Sequence, residues 1–152
     1  MNFWIFKWNP DDYDLDGRLK DPDPNTSSKV TKYQNEIALG DIAFIWQTGN
    51  DRGIRAVMRI DKAPGNWPEL EVEKRYAKEP ESDDCLRVVG TLIRRSVHLR
   101  QPEIEAEIEK AGAGRFSLLT AVRQGTNFRL RSDEGEVLLR LVDDAIANRR
   151  RN

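Results

Sequence analysis

The chain carries 152 residues, enough for one domain whose hydrophobic core needs neither disulfide nor metal. Its 25 basic and 26 acidic side chains nearly cancel, to a formal charge of −1, which excludes a protein that holds nucleic acid by a general basic excess. An apolar content of 38% beside 34% charged residues also excludes a wholly disordered chain.

Met1–Lys7 is apolar but too short for a signal peptide or a membrane span, and no membrane partner is expected. Phe3–Trp8 is rich in aromatic and β-branched residues and predicts a strand that stops at Asn9-Pro10. Asp11–Ser28 predicts a long polar surface loop, with one helical turn near Asp12–Leu15. Val30–Leu39 suits a short helix ended by Gly40. Ile42–Trp46 is a continuous apolar run, as in a strand covered on both faces. The turn cluster Gly49–Gly53 then leads into Ile54–Ile60, which predicts a hairpin. Ala63–Pro68 is a loop, and the charged stretch Glu69–Asp84 predicts an exposed strand in part.

Cys85–Leu99 is β-like, with Gly90 marking a bulge or bend. Pro102–Lys110 predicts a helix with Gly112 just past its end. Leu118–Val122 is apolar, Gln124–Asn127 is a turn, and Phe128–Arg131 is a short strand. Ser132 caps a last helix in which Val137, Leu138, Leu141, Val142, Ala145 and Ile146 recur at helical spacing. Strands without regular strand–helix alternation predict an α+β fold, a strongly bent sheet or pseudo-barrel of mainly antiparallel strands with peripheral helices. One domain is expected over 1–148, with 149–152 as a basic tail.

The single cysteine, Cys85, cannot form an internal disulfide, so a reducing, cytoplasmic setting is expected. One cysteine and one histidine, His98, do not make a zinc site, and no metal or cofactor is expected. A straight strand at ~3.3 Å per residue would hold Cys85 and His98 about 40 Å apart, too far for a nucleophile and its base. Gly49–Gly53 lacks the Lys-Ser/Thr and following helix of a phosphate loop. No catalytic residue is therefore assigned.

The aromatic residues are more telling. Trp4 lies within an apolar strand and reads as core. Trp8 and Trp46 end strands beside polar Asn9 and Gln47-Thr48-Gly49, and Trp67 lies in a Gly/Pro loop. Rings at strand ends beside amides and hydroxyls suit a flat heteroaromatic base, stacked on its faces and read along its edge. Such rings also plug the ends of barrels.

Phe3-Trp4-Ile5-Phe6-Lys7-Trp8-Asn9-Pro10 resembles the opening strand of EVE domains. Val30–Ile37 with Gly40-Asp41 resembles their first helix and its exit. Phe44–Gly49 with Gly53–Val57 is similar to their central hairpin, and Gln124–Phe128 to their C-terminal signature. These matches come in family order. The resemblance implies a PUA-like fold related to YTH and ASCH domains, and non-catalytic recognition of a modified, flipped-out base in DNA or RNA. It also implies a restriction-type nuclease or other effector as partner.

By position, Trp8 and Asn9 would form the pocket rim, Trp46, Gln47, Thr48 and Gly49 its lining, and Gly125, Thr126, Asn127 and Phe128 the opposite side. Many relatives carry a Trp-Ser pair before the first helix where this chain reads Thr26-Ser27-Ser28-Lys29, which leaves Trp67 or Trp8 to supply a ring. Arg94, Arg95, Arg123, Arg129 and Arg131 are expected to meet phosphates at the pocket mouth. Two rivals stand beside this reading. One is an ASCH-like hydrolase of modified nucleosides using Lys7 with Glu36 or Asp41. The other is a protein-interaction module docking through Glu69–Asp84.

Overall fold

The structure is a computed structural model that describes residues 1–79, 84–117 and 126–151. Among these residues, seven strands form one mixed sheet and four helices pack on it. The strands are β1 (Phe3–Trp8), β2 (Asn25–Val30), β3 (Ile42–Gln47), β4 (Gly53–Gly65), β5 (Leu86–Arg94), β6 (Leu99–Arg100) and β7 (Asn127–Leu130). The helices are α1 (Leu15–Lys20), α2 (Glu71–Tyr76), α3 (Gln101–Lys110) and α4 (Ser132–Arg151). Strand order is β2-β5-β4-β3-β1-β7, with β6 on β4. Only β1 and β3 run parallel; every other pair is antiparallel. The sheet curls into a half-barrel, as the bent, mainly antiparallel pattern predicts.

Both faces of the central strands are covered, which is why their apolar runs are continuous rather than alternating. Trp4, Phe6, Ala43, Ile45, Ala56, Met58 and Ile60 fill the concave side under Leu15 and Leu19 of α1. Phe3, Ile5, Phe44, Trp46 and Val57 face the other way, against Ile104 and Ile108 of α3 and Leu138 and Val142 of α4. Long β4 bends to serve this curl: its pairing with β5 shifts register between Val57 and Met58, between Ile60 and Lys62, next to the Ile60–Gly90 pair, and between Lys62 and Gly65.

Several sequence expectations change. The helix expected over Val30–Leu39 does not form. Val30 closes strand β2, and Tyr33 takes a left-handed φ of 59°. The main chain at Thr31 and Lys32 is bonded instead to the Asn127 side chain, so it is not available to a helix. Asp11–Ser28 is not one loop: Asp14 caps α1 by accepting from Gly17 N at 3.1 Å, and polar β2 is buried at Thr26, Ser27 and Ser28. In Glu69–Asp84, where a strand is expected in part, the described residues form the helix Glu71–Tyr76 with Val72 and Glu73 buried, and 80–83 lie outside the described residues. The helix α4 continues through Arg149 to Arg151, so the basic run is helical rather than a separate tail, and Arg149 donates to the Ser96 carbonyl. Leu118–Val122, Gln124 and Gly125 lie outside the described residues.

The helix α4 sits so close on β1 that a Cβ on Gly135 would lie 2.2 Å from Phe3 Cγ. Gly135→Ala should therefore lower stability by about 1–3 kcal/mol through overpacking, outweighing its helix-propensity gain of ~1 kcal/mol. Urea unfolding with an unchanged m-value is the measurement.

Candidate functional site

The strand β1 outruns its neighbour β7. Phe6 is the last β1 residue paired to β7, opposite Asn127, and Lys7 N then donates to the Thr126 carbonyl at 2.6 Å. Beyond that point, among the described residues, no strand pairs with this edge of Trp8. Across the gap stands β2, whose only strand partner among the described residues is β5 on its far side. The slit between them holds a cavity of about 430 Å³, inside the roughly 300–1,000 Å³ range of small-molecule pockets.

One wall is aromatic and hydroxylic. The Trp8 indole donates to Ser28 Oγ at 2.8 Å and meets the Tyr13 ring edge-on at 4.8 Å. Two independent contacts thus fix the plane of the ring. Asn9 stands at the rim; its side-chain oxygen accepts from Asp11 N at 2.9 Å, and its amide nitrogen makes no hydrogen bond among the described residues. Lys7, Lys29 and Thr126 border the cavity on the β1–β2 side, and Asp11, Asp12, Glu69, Lys78 and Glu79 on the other.

The back wall is a buried carboxylate. Glu73 accepts from Arg18 Nε at 3.1 Å, from Thr26 Oγ1 at 3.0 Å and from the Tyr13 hydroxyl. Arg18, 0% exposed, also donates to the carbonyls of Asp23 and Asn25. Burial pushes the Glu73 carboxyl above the usual carboxylate range, opposed by its bonds to Tyr13, Arg18 and Thr26. Burial likewise raises the Tyr13 hydroxyl, and the nearby Glu73 carboxylate adds to the shift, so the tyrosine stays protonated as a donor. No sequence signal marked this network, because its members look like solvated charges on a polar stretch.

The structure brings Trp8, Asn9 and Thr126 to the cavity and leaves the other expected lining residues elsewhere. Trp46 is 2% exposed and packs in the core against Phe116, ring centroids 5.8 Å apart; it cannot meet a ligand. Gln47 bonds Arg55, Thr48 N donates to the Trp8 carbonyl, and neither they nor Gly49 line the cavity. Trp67 donates to the Ala63 carbonyl and lies under Lys62, away from the cavity. Asn127 is wholly buried as a structural clamp, and Phe128 is buried behind Lys7 and Lys32.

The expected arginine surface does not assemble either. Arg94 pairs with Asp143 of α4, Arg95 bonds the Asp21 and Asp23 carbonyls, Arg129 pairs with Glu36, and Arg131 binds Asp133 and the Ala113 carbonyl. These arginines belong to β5 and the loop after it, and to β7 and its exit; none lines the cavity. Arg123 lies outside the described residues. Glu36 and Asp41, the acids considered beside Lys7 for hydrolysis, are also remote from the cavity: Asp41 accepts from the Trp4 indole at 2.9 Å. Among the described residues no group of His, Cys, Asp and Glu is placed to hold a metal ion, and no helix is long and apolar enough to cross a membrane.

The EVE domain family model matches residues 2–140. The chain belongs to the EVE domain family. Its fold is similar to that of human THYN1 protein, solved in complex with 5-methylcytosine-containing DNA, at 19% identity and a TM-score of 0.65 over 94% of this chain and 98% of that one. It is also similar to a hypothetical protein from Leishmania major, at 15% identity and a TM-score of 0.62 over 95% and 96% of the two chains. An ASCH protein from Zymomonas mobilis aligns at 11% identity and a TM-score of 0.54, over 92% and 96%. No match was found among curated proteins. The EVE domain here is thus PUA-like, with its cavity in the unfinished seam of the half-barrel.

The buried pair sets two expectations. Arg18→Met should cost about 3–5 kcal/mol in chemical unfolding, since it strands the Glu73 carboxylate. The second concerns pH. The folded-state pKa of Glu73 lies above its unfolded value, so between the two values the folded chain binds a proton that the unfolded chain has released. Stability from this group is then full below the ordinary carboxylate range and declines as pH rises towards the folded value. Glu73→Gln should flatten that part of the stability–pH curve.

Proposed function

We propose that this EVE domain binds DNA or RNA carrying a modified base, and takes that base, flipped out of its strand, into the cavity beside Trp8. The observation that carries the reading is the ring itself: a half-buried indole, held in plane by Ser28 and Tyr13, facing a cavity of about 430 Å³. A ring already fixed loses little freedom when a base stacks on it. The similar fold of human THYN1 protein, solved with 5-methylcytosine-containing DNA, supports the same choice of ligand.

Stacking supplies affinity without selectivity. Selectivity falls to the groups around the ring: the Asn9 amide, the Ser27 and Ser28 hydroxyls on β2 and Thr126. A methyl group on the base would add about 0.8 kcal/mol if it is buried against an apolar surface. Hydroxyls stand where many relatives carry a Trp-Ser pair, so Trp8 is the one tryptophan that lines the cavity. The Glu73 carboxylate is already engaged by Arg18, Thr26 and Tyr13, which favours a binding wall over a proton-transfer group. The consequence of binding is assigned to a partner, a nuclease or other effector.

Removing the ring should weaken binding of a modified strand by about 1–3 kcal/mol, about 5- to 150-fold, and narrow its lead over the unmodified strand. Fluorescence anisotropy on Trp8→Ala, after its melting transition is confirmed, measures this. Equal affinity of variant and wild type for the modified strand would sink the reading.

A further inference from the structure

The seam that borders the cavity collects lysines. The Phe128 ring lies within cation–π reach of two ammonium groups, Lys7 at 4.6 Å and Lys32 at 5.3 Å from its centroid. Lys29 joins them on β2, tied to the same place because the Thr126 hydroxyl donates to its carbonyl at 3.1 Å. Thr126 and Thr31 add two hydroxyls 3.3 Å apart. Among the described residues, neither Lys29 nor Lys32 pairs with a carboxylate. The nearby acid Glu36 is taken by Arg129.

The acids of the cavity lie on its other side, in the chain after β1 (Asp11, Asp12) and around α2 (Glu69, Glu79). The rim is therefore polarised: cationic along the seam and, with four acids to one lysine, Lys78, anionic on balance opposite. Lys7 and Lys29 border the cavity itself, so an anion at the seam lies next to whatever occupies the cavity.

We propose that Lys7, Lys29 and Lys32 form the phosphate-binding rim of this domain, holding the phosphodiester that flanks the base taken up beside Trp8. The inference rests on the base-binding reading for what fills the cavity. It replaces the paired arginines as the source of phosphate contacts. It also gives the strand a direction of approach, along the seam and away from the acidic side.

The test uses the whole chain and a short single strand with one 5-methylcytosine, beside the same strand with cytosine, titrated at several salt concentrations. Each lost phosphate contact should reduce the slope of log K against log salt by about 0.7 on a single strand. Lys29→Gln with Lys32→Gln should flatten the slope and weaken both strands by the same factor, leaving the preference for the methylated one intact; Lys29→Arg with Lys32→Arg should restore the slope. Trp8→Ala should leave the slope and erode the preference. An unchanged slope in the glutamine variant would overturn the rim. A flattened slope with a Trp8→Ala variant that behaves as wild type would uphold the rim and overturn the base pocket. No binding of either strand by the wild type at low salt would overturn both.

Discussion

One buried amide side chain anchors the closure of this fold. The sheet has two edges, β2 and β7, at opposite ends of its strand order, and among the described residues no strand ladder joins them. Asn127 spans the gap. Its oxygen accepts from Thr31 N at 2.9 Å and Lys32 N at 3.1 Å, and its nitrogen donates to the Lys32 carbonyl at 2.6 Å. Asn127 is 0% exposed, so each of these bonds replaces solvation that it cannot regain, and an unmade one would cost about 1–3 kcal/mol. The clamp fixes the start of the 31–41 segment. Asp41 fixes its end, accepting from the Trp4 indole and from Asn2 N and Ala38 N. Between the two, Ile37 is pressed into the concave core and Tyr33 packs on Trp4.

The second constraint lies across the cavity from the first. Arg18, Glu73, Thr26 and Tyr13 come from α1, α2, β2 and the chain between β1 and α1. Their bonds are side chain to side chain, so they hold two six-residue helices that backbone hydrogen bonding alone would not stabilise. Burying a charge pair is justified only if every lone pair and proton is answered. Each side-chain nitrogen of Arg18 and each carboxylate oxygen of Glu73 has at least one hydrogen-bond partner, and no buried side-chain polar atom among the described residues lacks one. The cavity therefore has two rigid walls, one set by an amide at the seam and one by an ion pair at the back.

These two constraints are also where the sequence was least legible. The strands β1, β3 and β7, and the helices α3 and α4, carry long apolar patterns or clear stop signals, and they fall where those patterns put them; β4 starts where expected but runs on to Gly65, into residues that read as a loop. The family resemblance was legible too, from the order of its segments. Strand β2 was not, because Asn25–Val30 is almost wholly polar and its burial depends on partners distant in sequence: Glu73 for Thr26 and Trp8 for Ser28. Six residues give α1 and α2 too little periodicity to register. Glu73 reads as one more acid in a charged run until the fold brings Arg18 to it from 55 residues away.

The choice between tryptophans turns on parity. In parallel register Trp8 lies beside Gln47 and Lys7 beside Trp46, so the two rings project from opposite faces of the sheet. A strand with one wet face announces its parity by alternation, but strands covered on both faces do not. The apolar run Ile42–Trp46 thus hid the fact that Trp46 points towards α3 and α4. What selects Trp8 is where the ladder stops. Among the described residues β7 ends its pairing at Phe6, two residues short of Trp8, and no strand pairs with the concave-side ring at the end of β1. A ladder continued by two residues would pair that edge and close the slit between β1 and β2. The cavity exists because the barrel is clamped shut by a side chain just before the point where a strand would have filled it.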